Sequence, residues 1–204
     1  IISQKISIDT ETTGLNFHSD KVRLLQFCTS EKEVFIIDLF KVSKQFIDNF
    51  SEFLKGKVIY LHNAKFDIQF LWKIGIDLSN ASFIVCTYII SLVINNGLNK
   101  PASLKALLLE HLNLELSKEE RLSDWGVEEL TEEQLHYAAL DVYYLQDLAE
   151  KLKVIVDELK LNKIVEIECN FIPCLAALEY NGLYVNVDNI IYQKKVYERY
   201  VRWL

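Results

Sequence analysis

V-I-Y-L-H-N-A-K-F-D-I-Q-F-L-W-K-I, residues 58–74, changes its hydrophobic period in the middle, and that change decides the fold class. Val58 to Leu61 is a short apolar run, the pattern of a buried strand. From Ala64 to Ile74 the spacing is helical, and Gly75 closes the helix. Upstream, Lys5 to Asp9 (K-I-S-I-D) alternates as a strand does, and Val22 to Thr29 and Val34 to Leu39 read as two more. Gly14 and Ser19-Asp20 punctuate the first pair, which predicts a meander. Ser43 to Leu54 reads as a helix with Phe46, Ile47, Phe50, Phe53 and Leu54 on one face, stopped by Gly56.

Downstream, Ser82 to Asn95 and Ser103 to Leu112 read as helices, the second with a stripe of Leu104, Leu107, Leu108 and Leu112. Thr131-x-x-Gln134 has the form of a capping box opening one long helix to about Leu159. Strands first, then strand–helix alternation, then helices, predict an α/β fold: a mixed sheet flanked by helices, followed by a helical segment. A break near Lys160-Leu161-Asn162 divides residues 1–160 from residues 161–204, where a turn at Asn181-Gly182 interrupts the helical pattern.

Composition sets outer limits. The 204 residues are half hydrophobic and a quarter charged, with 6 Gly and 2 Pro, which excludes a disordered, collagen-like or linker-rich chain. No uncharged apolar run reaches the roughly 18–20 residues that span a bilayer, and Ile1 to Lys5 carries no secretory pattern. Met is absent, so the chain reads as a fragment of something larger. Cys28, Cys86, Cys169 and Cys174 form no C-x-x-C pair, which argues for reduced core thiols in an intracellular protein rather than a disulfide framework or zinc site. The net charge of −7 argues against clamping nucleic acid by bulk charge, though not against a nuclease whose metal ions supply the positive charge.

Three carboxylate sites stand out. Asp9 and Glu11 close the first strand, and their i, i+2 spacing puts both on one side of an extended chain. Two adjacent acids repel, and a divalent cation removes the repulsion; a solvated strand end is the plainer explanation. Asp67, in His62-Asn63-Ala64-Lys65-Phe66-Asp67, falls in the first turn of the helix after the buried strand, where the helix dipole alone favours an acid. Tyr137 and Asp141, at i and i+4, share a helical face as a surface Tyr–Asp pair also does.

Together and in this order, Asp9-Thr10-Glu11, Asn63-Ala64-Lys65-Phe66-Asp67 and Tyr137-Ala138-Ala139-Leu140-Asp141 resemble the D-x-E, N-x-x-x-[FY]-D and Y-x-x-x-D motifs of the DEDD 3′–5′ exonucleases, in their tyrosine branch. The resemblance covers residues 5 to 160 and implies an RNase H-like fold with the carboxylates over one end of the sheet. It implies two divalent ions, Mg²⁺ or Mn²⁺, which take oxygen ligands and together generate a nucleophile and neutralise a leaving oxygen. By the same resemblance Asp9, Glu11 and Asp141 hold the first ion. Asp9 bridges to the second, which Asp67 supports largely through water. Tyr137 orients the attacking water, Thr12 and Leu15 touch the terminal nucleotide, and Asn63 contacts its sugar–phosphate.

The sister branch uses a His five residues before the last Asp, and His136 stands there. At about 100° per residue, His136 lies roughly 140° around the helix from Asp141, so Tyr137 is the better candidate. Cys86-Thr87 departs from relatives that carry Asp-Thr, which puts only local helix capping in doubt. Phe17, His62 and Phe66 are candidates for stacking on bases, and Lys21, Arg23, Lys65 and Arg121 for meeting phosphates; each has an ordinary packing or surface role as its alternative.

Ile164 to Asp188, with Ile172-Pro173, Leu175-Ala176-Ala177-Leu178-Glu179 and Asn181-Gly182-Leu183, looks like the junction where the exonuclease of a family A, polymerase I-like enzyme enters its polymerase domain; two core helices and a turn would use the same residues. The implied partners are a single-stranded or frayed DNA 3′ end and that polymerase domain, with the chain a monomer away from membranes. An RNase D-like nuclease trimming RNA is the alternative within the family; an inactive nucleic-acid-binding module and a two-carboxylate sugar hydrolase are alternatives outside it. Ile-, Asn- and Lys-rich usage resembles that of an AT-rich genome and, with the family resemblance, implies a bacterial cytoplasm or a plastid such as an apicoplast.

Overall fold

In a computed structural model, residues 3–115 and 123–203 are described. The elements are β1 (Lys5–Thr12), β2 (Val22–Thr29), β3 (Val34–Asp38), α1 (Lys44–Phe53), β4 (Val58–Leu61), α2 (Ala64–Ile74), β5 (Phe83–Cys86), α3 (Thr87–Asn95), α4 (Leu104–Leu112), α5 (Glu132–Tyr143), α6 (Leu145–Glu158), α7 (Asn162–Asn181) and α8 (Val187–Trp203). The five strands form one mixed sheet in the order β3-β2-β1-β4-β5. β1, β2 and β3 pair antiparallel as the expected meander, and β1, β4 and β5 pair parallel.

One face of the sheet presents Ile6, Ile8, Leu25, Phe27, Ile59 and Leu61 to Ile47 and Phe50 of α1 and Ile68 and Leu71 of α2 in a single core. The other face presents Leu24 to Ala138 of α5, with Trp125, and Tyr60 to Leu145 and Ala149 of α6. Cys169, Ile172 and Ala176 of α7 join the large core, whereas α8 buries no residue. Caps stand where the sequence places them: Ser43 accepts from the Phe46 amide and Ser103 from the Ala106 amide, each at 3.3 Å. Thr131 and Gln134 complete a reciprocal capping box. None of the described helices is long and apolar enough to cross a membrane.

Four details differ from the sequence reading. The predicted helix over Ser82–Asn95 is a strand and then a helix: Phe83-Ile84-Val85-Cys86 pairs parallel with Val58–Leu61, and only Thr87–Asn95 is helical. A four-residue apolar run fits either state until a neighbouring strand is present to satisfy its backbone. The long helix after Thr131 is two, broken at Tyr144 with no Pro or Gly to mark it. The Tyr143 carbonyl released there accepts from Lys32 Nζ at 2.8 Å. β1 runs three residues beyond Asp9, so both of its acids lie within the strand. Cys174 is exposed, and the other three thiols are buried as expected.

Candidate active site

The site lies where the sheet is one strand narrower. β1 pairs with β4 only over Lys5–Ser7, but with β2 to Thr12. The end of β1 therefore has a ladder on one side and, on the other, the turn from β4 into α2. Asn63 makes that turn in the left-handed region (φ 61°), which Asn tolerates better than most side chains. Its side chain makes no capping bond and the residue is exposed. Four residues on, Asp67 is buried in the first turn of α2, and Thr10 Oγ1 donates to its Oδ1 at 2.7 Å.

Alternation along β1 turns Asp9 and Glu11 to the face covered by α5. Asp141 of α5 meets them there. Carboxylate oxygens of Asp9, Glu11 and Asp141 all lie within 4.8 Å of one another. The Tyr137 hydroxyl lies beside Asp141, whose carboxyl it draws down, and its ring stands 6.5 Å from that of buried Trp125. His136, on the same helix, is exposed.

The electrostatics follow from this crowding. Burial pushes the Glu11 carboxyl up to about 9, with the charges of Asp141 and Asp67 adding to the shift. Burial likewise pushes Asp67 and Asp141 up to about 7, against the hydrogen bond from Thr10 and the neighbouring Tyr137 hydroxyl. Asp9 is also raised well above the usual carboxylate range, first by burial and then by its three acidic neighbours. The Tyr137 phenol is also raised, by burial and then by those acids, so it remains a donor. No Lys or Arg bonds to the four carboxylates among the described residues. Converging oxygens without a protein cation fit a hard divalent ion, which would hold them charged together.

Thr12 Oγ1 donates to the Gly14 carbonyl at 2.6 Å, and Leu15 projects beyond it with 85% of its surface exposed. A Cβ on Gly14 would run into the Asp20 carboxylate, which would have to shift. Several residues considered for substrate contact have internal partners. Phe17 stacks on Tyr180 with ring centroids 5.5 Å apart, and Phe66 leans on Phe70 at 4.8 Å. His62 bonds Thr87 Oγ1 at 2.9 Å, and burial lowers its pKa to about 4. Arg23 is buried, pairs with Asp38 at 3.1 Å and donates to the Val127 and Glu128 carbonyls. Lys65 pairs with Glu179 at 2.7 Å, and Lys21 lies over the Phe40 ring. Arg121 lies outside the described residues.

Two side chains escape the motif reading. Thr10, the middle of Asp9-Thr10-Glu11, ties Asp67 to β1. Gln26 donates to Asp9 Oδ2 at 2.9 Å from the adjacent strand. Its signal was a lone amide in the apolar V-R-L-L-Q-F-C-T of β2.

Residues 2–157 match the model of a 3′–5′ exonuclease family. DNA polymerase I of Aquifex aeolicus is 29% identical over 217 aligned residues, covering 97% of this chain and 35% of that protein. Ribonuclease D of Psychromonas ingrahamii is 30% identical over 169 residues, covering 80% of this chain and 42% of that one. The chain thus spans only about two fifths or less of the length of these curated relatives. Among solved structures, Brucella melitensis NrnC bound to pGG superposes with a TM-score of 0.77 at 28% identity, covering 89% of this chain and 87% of that one; the same protein has also been solved with bound Mg²⁺. The RNase H-like sheet, the three carboxylate elements and the match over residues 2–157 agree: the chain belongs to the 3′–5′ exonuclease family of the family A DNA polymerases.

Proposed function

We propose that this domain removes nucleotides from the single-stranded or frayed 3′ end of DNA, as the proofreading part of a polymerase I-like enzyme. The observation that carries the choice of DNA is the reach of the Aquifex match. It takes in 97% of the chain, α7 and α8 with it, whereas the ribonuclease D match takes in 80%. On this reading residues 1–160 are the exonuclease domain, and residues 161–204 open the polymerase domain of the same parent chain. The protein acts as a monomer, and its bacterial relatives favour a bacterial cytoplasm over an organelle.

Asp9, Glu11 and Asp141 would hold one divalent ion, Mg²⁺ or Mn²⁺. Asp9 and Asp67 would serve a second, Asp67 largely through water. Bound there, the ions supply a nucleophile at neutral pH and neutralise the leaving oxygen. The Tyr137 hydroxyl, beside Asp141, orients the attacking water. Asn63, exposed at the turn into α2 with a side chain that makes no capping bond, contacts the sugar–phosphate. Leu15 and Thr12 bear on the terminal nucleotide.

The test is a gel assay of 5′-labelled single-stranded DNA and matched RNA with Mg²⁺, Mn²⁺ or EDTA, using wild type, Asp9→Ala and Tyr137→Phe. Metal-dependent laddering of DNA from the 3′ end is expected, lost in Asp9→Ala and slowed in Tyr137→Phe. Preferential trimming of RNA would replace the proofreading reading with an RNase D-like one.

A further inference from the structure

We propose that Gln26 is a positioning residue for Asp9: its buried side-chain amide fixes one oxygen of that carboxylate and leaves the other aimed at the divalent cation shared with Glu11 and Asp141. The inference rests on the exonuclease reading of the site and adds a residue from β2, a strand that contributes none of the four acids.

Every residue of β2 is buried, and Gln26 is fully so. It stands directly opposite Asp9 in the β1–β2 register, and its Nε2 donates to Asp9 Oδ2 at 2.9 Å. Its Oε1 has no partner among the described residues. A buried amide left half-satisfied is destabilising, and a β-branched or aromatic side chain suits the middle of a sheet better. Packing therefore does not account for a glutamine here, whereas the bond to Asp9 does. With Asp9 ionised, as a metal ligand is, the amide has one workable orientation, because turning it over would set Oε1 against a carboxylate oxygen, acceptor facing acceptor. Partners behind a metal-binding carboxylate fix its direction, and losing one typically costs about 10–100-fold in metal affinity.

The test compares wild type, Gln26→Met and Gln26→Leu with Ser7→Ala. Ser7 lies two residues before Asp9 on β1, and its hydroxyl is buried without a partner among the described residues. Mn²⁺ is titrated against the melting temperature, and DNA hydrolysis is measured at limiting and saturating Mn²⁺. For both Gln26 variants the Mn²⁺ midpoint should rise about tenfold or more, with hydrolysis depressed most at limiting metal and the oligonucleotide KM at saturating metal unchanged. Ser7→Ala should leave the midpoint in place. An unchanged midpoint in folded Gln26 variants, or an equal shift in Ser7→Ala, overturns the proposal. If neither Gln26 variant folds, the ¹⁵N side-chain amide resonances of the wild type decide it: a pair that moves on Mg²⁺ titration and is lost on ¹⁵N–Gln unlabelling supports the role, and none that moves refutes it. A wild type that binds Mn²⁺ but cleaves neither DNA nor RNA would sink the nuclease reading while leaving the midpoint to judge Gln26.

Discussion

Thr10 Oγ1 donates to Asp67 Oδ1 across 2.7 Å, joining the middle of β1 to the first turn of α2. Both groups are buried, and this bond draws the Asp67 carboxyl down against the burial that raises it. Thr10→Val keeps the shape and removes the donor. Leaving the acceptor unsatisfied should cost about 1–3 kcal/mol of stability and raise the Asp67 pKa further. Urea unfolding and Mn²⁺ titrations of the variant should show a lower midpoint of unfolding and a higher demand for metal. Wild-type stability in Thr10→Val would mean that the bond does not hold the site together.

The metal-free protein should lose stability as pH rises through neutrality. An ordinary carboxyl releases its proton near pH 4 in the unfolded chain, at about its reference pKa. In the fold Asp67 and Asp141 retain theirs to about pH 7 and Glu11 to about pH 9. Between these limits the native state binds more protons than the unfolded one, so stability falls with rising pH. In EDTA the melting temperature should therefore drop from pH 5 to pH 9. Mn²⁺ should displace those protons and flatten or reverse the slope. A melting temperature in EDTA that does not change with pH would exclude this crowding of acids.

Lys32 reaches the α5–α6 joint from the β2–β3 turn, where it adopts φ 64°. Its Nζ donates to the Tyr143 carbonyl and to Asp147, and it lies 4.8 Å from the centre of the Tyr143 ring. These contacts hold the α5–α6 joint, two residues beyond Asp141. Lys32→Met should cost about 1 kcal/mol, because the pair is partly exposed. It should also slow hydrolysis by letting α5 shift, since a displacement of about 1 Å can cost on the order of a hundredfold. Loss of stability with a wild-type rate would confine Lys32 to a folding role.

The carboxylates were legible because each lies in a short motif whose position on a strand or helix end sets its direction. Asp9 and Glu11 share a face by alternation, Tyr137 and Asp141 by one helical turn, and Asp67 follows a strand–turn–helix junction. What was hidden depends on distant partners. The break at Tyr144 is stabilised by a lysine 111 residues away from Tyr143 in sequence, and Phe83–Cys86 becomes a strand only beside β4. Gln26 finds Asp9 through strand register, which no local pattern states.

Tyr137 and His136 can be separated directly. Tyr137 lies beside Asp141 within the site, and His136 is exposed on the same helix. Tyr137→Phe should slow hydrolysis by about tenfold to a hundredfold through misplacement of the attacking water. His136→Ala should stay within about twofold of wild type, as surface substitutions usually do. The reverse ranking would move the site to the histidine branch. Single-turnover rates on a short DNA oligonucleotide measure both.

The last turn of α7 holds the loop that carries Leu15. Tyr180 stacks on Phe17 at 5.5 Å with planes 17° apart, lies 5.8 Å from the His18 ring and meets Trp72 of α2 edge-on at 5.9 Å. Lys73 of α2 donates to the His18 and Asp20 carbonyls on the same loop. Tyr180→Ala removes the stack and leaves Cys169, Ile172 and Ala176 to anchor α7, so the fold should survive. An aromatic pair contributes about 0.5–1.5 kcal/mol beyond area burial, which corresponds to a rise of roughly two- to twelvefold in KM for the oligonucleotide. The rate at saturating substrate and the metal midpoint should not change, because no carboxylate moves. Tyr180→Phe keeps the ring and should restore KM. A fall in kcat with KM unchanged would show instead that α7 acts on the carboxylate cluster through α2, which it braces with Glu179 against Lys65 and Gln69.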